Sequence, residues 1–172
     1  MSAIATLART SSAQHTPVAI SGLSYAPYAS LFSLTDAELE ARGMRRYFAP
    51  ENPAIGYPCR VSLAFAKPGE ELLLVNYRHL DKPGTPYRSE GPIFIRRNAV
   101  AFAKADAYPE IIMQREMSVR AYDAAGFMLE GELAEKEGLK ALVDTWFARA
   151  DVAHVDIHSA RRGCFFCRIE RA

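Results

Sequence analysis

The chain is poor in cysteine: three among 172 residues, an odd number. That excludes a disulfide-framed secreted scaffold. The start, MSAIATLARTSSAQHT, has no sustained apolar stretch of the kind an export signal needs. Together these point to reduced thiols in the cytoplasm. Long hydrophobic runs are missing as well. The longest, around LLLV at 72–75, is the size of a strand, so no membrane span is expected. Charge of one sign is also lacking: 21 Lys and Arg against 20 Asp and Glu leave +1. Bulk charge therefore steers the chain toward neither nucleic acid nor a membrane surface. There is no phosphate-binding glycine loop, no internal repeat and no low-complexity linker. The single Cys-x-x-Cys, Cys164 to Cys167, has two phenylalanines between its thiols and no second copy. Odd spacing on a strand sends the two sulfurs to opposite faces, so neither metal nor cofactor is expected from it.

What is there is an ordinary apolar fraction, 49%, enough for one core. The expected organisation is a flexible tail over 1–16 and one α+β domain over 17–172. VAISGL at 18–23 alternates like an edge strand. Thr35 with Glu38 forms a capping-box pattern, and Gly43 is a suitable stop, so a short helix over 36–42 follows. CRVSLAF reads as a strand with Cys59, Val61, Leu63 and Phe65 on one face and Arg60 on the other. LLLVNYRH at 72–79 reads as a central strand. LDKPGTPYRSEGP is a loop of thirteen residues with three prolines and two glycines, a length that is often functional. SVRAYD and FMLEGELA make a hairpin about Gly126, with Arg120 opposite Glu130. Leu139, Leu142, Val143, Trp146 and Phe147 mark an amphipathic helix over about 136–149. Many strands and few helices, without strand–helix alternation, imply a mainly antiparallel sheet with one long helix and some short ones.

The segment HVDIHSARRGCFFCRIERA, 154–172, concentrates polar chemistry. Folded as a hairpin on Arg161, Arg162 and Gly163, it pairs His158 with Phe166, Asp156 with Arg168 and His154 with Glu170. Val155, Ile157, Phe165, Cys167 and Ile169 then share an apolar face. His154 and His158 are four residues apart, roughly 13 Å along a straight strand, too far to hold one ion. Asp156 and His158 are close enough, but no further ligand is evident.

Four motifs in order, GYPCRVSL at 56–63, TPYRSEGPIFIR at 85–96, SVRAYDAAG at 118–126 and HSARRGC at 158–164, resemble the bacterial domain of unknown function 1203 family. The resemblance runs from about residue 18 to the end. Ser159 stands where that family is associated with asparagine, and Phe165 where tyrosine is frequent. The resemblance implies no activity. It groups Cys59, Arg60, Tyr87, Arg88, Arg120, Tyr122, Asp123, His158, Arg161, Arg162 and Cys164, nearly all at strand ends and turns, where function sits on a rigid sheet.

The leading expectation is a small anionic ligand, carrying phosphate or carboxylate, held by Arg60, Tyr87, Arg88, Arg120, Tyr122, Arg161 and Arg162. Guanidinium groups match such anions bidentately. His158 would move protons near neutral pH. A second expectation is a thiol enzyme, with Cys164 as nucleophile and His158 as base. A third is an interaction module that pairs with a protein or with itself through the strand near residue 20.

Overall fold

A computed structural model describes residues 15–52 and 56–172. Fourteen residues of the expected tail lie outside the described part. The other two are tied to the body: His15 hydrogen-bonds Asp106, and the Thr16 amide donates to Asp144.

The strands are β1 (Val18–Ser21), β2 (Arg45–Phe48), β3 (Pro58–Cys59), β4 (Ala64–Phe65), β5 (Glu71–Leu80), β6 (Ser89–Arg96), β7 (Ala103–Ala105), β8 (Met117–Tyr122), β9 (Met128–Ala134), β10 (His154–Ser159) and β11 (Phe165–Arg171). The helices are α1 (Asp36–Glu40), α2 (Glu110–Met113) and α3 (Lys136–Phe147), with a 3-10 helix over Ala26–Ser33. The strands form two sheets, β7-β1-β11-β10-β8-β9 and β2-β5-β6-β3-β4. Every pairing is antiparallel except β3 with β6. This is an α+β architecture rich in antiparallel sheet.

Local rules account for several elements. The Thr35 hydroxyl accepts from the Glu38 amide, and the Glu38 carboxylate accepts from the Thr35 amide, which starts α1. In α3, Leu139, Val143, Trp146 and Phe147 are buried against Val119, Ala121, Val155, Ile157 and Ile169 of the six-stranded sheet. That helix ends at Phe147, short of residue 149. A second core holds Leu73, Val75, Ile93 and Ile95 of the five-stranded sheet under Phe32 and Leu39. No helix among the described residues is long and apolar enough to cross a membrane.

Three expectations fail. β1 is not an edge strand; it lies between β7 and β11, with Val18 and Ile20 buried. CRVSLAF is not one strand. Leu63 takes φ +47°, and the chain turns there between two short bridges. The alternation that suggested a strand arises because Val61 and Leu63 enter two different cores. Arg120 does not face Glu130: the β8–β9 register shifts between Ala121 and Tyr122, Arg120 pairs Gly131, and Glu130 binds Arg149 instead.

A buried polar layer between the sheets: the candidate functional site

β10 is buried on both faces. Val155 and Ile157 point toward α3, so period two sends His154, Asp156 and His158 to the opposite side. That side meets the end of β5 and is covered. Asp156 is 0% and His158 1% exposed. The polar face expected to be solvated is therefore an internal layer.

Three β-bulges surround this layer. Arg78 pairs Glu90 while Leu80 pairs Ser89, which leaves His79 as the extra residue of β5. Ile157 pairs Cys167 while His158 pairs Phe165, which leaves Phe166 as the extra residue of β11. The third bulge, beside Tyr122, is the β8–β9 shift. Bulges redirect side chains and collect beside functional sites. The β11 bulge overturns the expected pairing of His158 with Phe166. It puts Phe165 on the polar side, where its ring stacks on His79 at 4.8 Å and 10°. The turn itself is one residue longer than expected: the Ser159 amide donates to Cys164 and the Gly163 amide to Ser159. Gly163 takes φ +70°, the conformation glycine allows without strain.

His79 and His158 meet edge to face with ring centroids 4.9 Å apart. The Gly163 carbonyl lies 2.9 Å from His158 Nδ1 and accepts its proton, so the lone pair is on Nε2. That Nε2 is buried without a hydrogen-bonding partner, as are both ring nitrogens of His79. Asp156 accepts two bonds from Arg168, at 2.7 and 2.9 Å, and Arg168 also donates to the His79 carbonyl. His154 stacks on Tyr122 with its Nε2 3.9 Å from Asp156. Ligand atoms of His79, Asp156 and His158 all lie within 4.8 Å of one another.

Burial dominates the electrostatics. It pushes His79 and His154 down to about 4 and His158 down to about 3, with nearby cations adding to the effect: Arg168 and Arg120 on His79, Arg168 and Lys82 on His154, Arg120 and Arg60 on His158. All three rings are neutral at pH 7. Burial moves the Asp156 carboxyl up, against the pull of Arg168. Burial pulls Arg168 down, but its bond to Asp156 and the charges of Asp156 and Glu170 together move it up.

Above this layer opens a cleft of about 630 Å³, lined by His79, Lys82, Asp123, His154, Arg168 and Glu170 among others. One wall is the 81–88 loop, anchored by the buried Thr85 hydroxyl donating to Gly126 and by Lys82 donating to Ala124. The cleft's size is typical of small-molecule sites.

The residues singled out from sequence are scattered about this centre. His158 is within it. Tyr122 is buried beside His154, with Tyr87 edge-on to it. Arg120 donates to Ser118 and its charge is felt by His79 and His158. Arg88 binds Asp81 on the outside of the loop. Arg161 and Arg162 are exposed on the hairpin turn. Arg60, expected on a polar face, is 3% exposed; it donates to the Phe165 and Pro58 carbonyls and lies over the Phe166 ring. Burial lowers it to about 10, so it stays charged and holds the hairpin to the second sheet. The Cys164 thiol donates to the Arg162 carbonyl, and His158 offers it no free proton acceptor on Nδ1. His79, His154, Arg168 and Lys82 were missed. His79 belongs to a different sheet, so no spacing in the sequence joins it to His158.

The fold and the layer define a two-sheet α+β protein with a buried histidine–aspartate cluster beneath an open cleft. The family described as "Protein of unknown function (DUF1203)" matches residues 56–171, well over half of the chain, and the chain belongs to that family. No curated protein and no solved structure matches.

Proposed function

We propose that the protein binds a small anionic molecule, bearing carboxylate or phosphate, in the cleft above the buried layer. The observation that carries this reading is the pair of cations on the cleft lining. Arg168, its side chain 32% exposed, lies at the floor. Lys82 lies at the wall. Of the acids beside them, Asp81 is engaged by Arg78 and Arg88 and Asp123 by the Ala125 and Phe127 amides, while Glu170 acts on Arg168. In the layer beneath, Asp156 lies between Arg168 and Arg120 across neutral histidines, with Glu170 also acting on it. An anion entering the open cleft meets Arg168 at its floor and Lys82 at its wall, on a lining that also carries Asp81, Asp123 and Glu170. The ligand set differs from the one suggested by sequence: Arg168, Lys82 and His154 replace Arg60, Arg88, Arg161 and Arg162, and Arg120 acts from behind. Three free thiols suit a reducing compartment, and the cytoplasm remains our reading.

The test is a titration of metal-free protein with inorganic phosphate, succinate and citrate, followed by thermal unfolding and calorimetry. A saturable rise in Tm is expected for at least one, with affinity reduced about threefold to tenfold in Lys82→Ala for loss of one charged contact. No saturable response to any of the three, or equal affinities in the two proteins, refutes it.

A further inference from the structure

We propose that His79, Asp156 and His158 form a site for one divalent transition-metal ion at the floor of the cleft. The inference goes beyond anion binding and rests on a separate observation. Three ligand atoms of suitable type, from two strands of two sheets, lie within 4.8 Å of one another in the interior. Two of the residues carry ring nitrogens that are buried and unpartnered. A polar nitrogen removed from water without a partner costs on the order of 1–3 kcal/mol, and this layer contains several. An ion satisfies two of them together, His158 Nε2 and one nitrogen of His79.

The chemistry of the set is specific. Two imidazoles and one carboxylate suit zinc, cobalt, nickel or ferrous iron, and not magnesium or calcium, which prefer all-oxygen cages. His158 is already oriented as a ligand: its Nδ1 proton is taken by the Gly163 carbonyl, which aims the Nε2 lone pair inward. Asp156 is oriented by Arg168, which uses one lone pair on each oxygen and leaves others free. The stacking of Phe165 on His79 fixes the plane of the third ligand. Metal–ligand distances of about 2.0–2.2 Å require the three atoms to draw in by roughly an ångström. Small side-chain rotations of the three residues, that of His79 within the plane its stacking sets, would supply that movement.

The charged groups facing the site decide the rest of its coordination. Arg168, Arg120 and Arg60 are positive, Asp156 and Glu170 are negative, and His154 and Tyr122 are neutral, an excess of one positive charge. A divalent ion raises the excess of positive charge from one to three. The open coordination position must then take an anion from the cleft, either hydroxide or an acidic small molecule. Three protein ligands with one open position is the arrangement of catalytic, not structural, zinc sites.

The test uses the full chain stripped with chelator and titrated with Co²⁺ and Zn²⁺ in a non-coordinating buffer without phosphate or carboxylate. One Co²⁺ per chain is expected, with the visible absorption of a four- or five-coordinate ion lacking thiolate bands. Zinc is expected to displace it. His79→Gln and His158→Gln should each weaken binding by about a hundredfold or more, while His154→Gln should leave it intact. If a variant fails to fold, the wild-type spectrum decides alone. Absence of Co²⁺ absorption, thiolate bands from the cysteines, or unchanged affinity in folded His79→Gln and His158→Gln each overturns the proposal. The anion titration uses metal-free protein, so either reading can fail without the other.

Discussion

Lowering the pH from 7.5 to about 5 should destabilise this protein by about 4 kcal/mol, and three histidines are the reason. In the unfolded chain each titrates near 6.5. In the folded protein, burial holds His158 near 3 and His79 and His154 near 4. A group whose folded pKa is depressed favours the native state above the unfolded pKa, and that contribution is lost as pH falls toward the folded value. The window here is about 6.5 down to 4 for His79 and His154, and down to about 3 for His158. At about pH 5, a fully depressed histidine costs the native state about 2 kcal/mol relative to pH 7.5. His158 is counted in full. His79 and His154, each nearer the cleft, are counted at half, which gives about 4 kcal/mol in total. Two groups act in the opposite direction: Asp156 is raised by burial, and exposed His15 is raised beside Asp106. Against a domain stability of about 5–15 kcal/mol, the loss is a large fraction. The assay is urea denaturation followed by circular dichroism at half-unit intervals from pH 7.5 to 4.5, in chelator. The midpoint should fall steeply below pH 6.5 at constant m-value. His158→Leu should flatten the curve by about a third to a half, since one neutral apolar ring substitute removes one titration. A midpoint unchanged between pH 7.5 and 5 would show that these rings have water or carboxylate partners, and the buried-layer argument would be wrong.

Two further outcomes follow from the same structure. Arg168→Met leaves Asp156 buried with no cation bonded to it and should cost about 2–4 kcal/mol in denaturant unfolding, discounted from a fully buried pair because Arg168 is partly exposed. Asp156→Asn, Arg168→Met together should recover much of that loss; a double variant as weak as the sum of the singles would refute the pairing. Thiol labelling at neutral pH should modify Cys164 alone, because Cys59 and Cys167 are buried and burial raises the Cys167 thiol. Three thiols should react in denaturant, and three fast reactions in buffer would contradict the packing of the hairpin.

The terminal hairpin was half legible. Alternation placed Val155, Ile157 and Ile169 in the core, and it paired Asp156 with Arg168. The glycine in the turn had its positive φ, as the sequence required. The failures begin at the bulges. Strict period two carries Phe165 to the core face and Phe166 to the polar one, and a single extra residue in β11 reverses Phe165. No local residue pattern announces that insertion; it is settled by what fits across the sheet, here Phe165 against His79. Arg120 and Glu130 were separated by the same kind of shift. Thr35, by contrast, was read correctly because a capping box is local: both of its hydrogen bonds close within three residues.

The candidate centre was hidden for a different reason. A strand with apolar residues on one side and His154, Asp156 and His158 on the other reads as half-solvated, since antiparallel sheets commonly face water on one side. That inference fails once a second sheet covers the polar side, and the cover comes from β5, some eighty residues earlier in the chain. The energetics then turn the reading around. A solvated Asp–Arg pair contributes little, and exposed histidines cost nothing. The same groups in a closed layer carry desolvation costs of several kcal/mol, which well-packed leucine or phenylalanine at these positions would not incur. Stability therefore does not explain why this sequence puts three histidines, an aspartate and two arginines between its sheets. The proposed ion and its anion would supply partners for His158 Nε2, one nitrogen of His79 and the Arg168 charge, at a place where the described residues open to a cleft large enough to admit a small molecule.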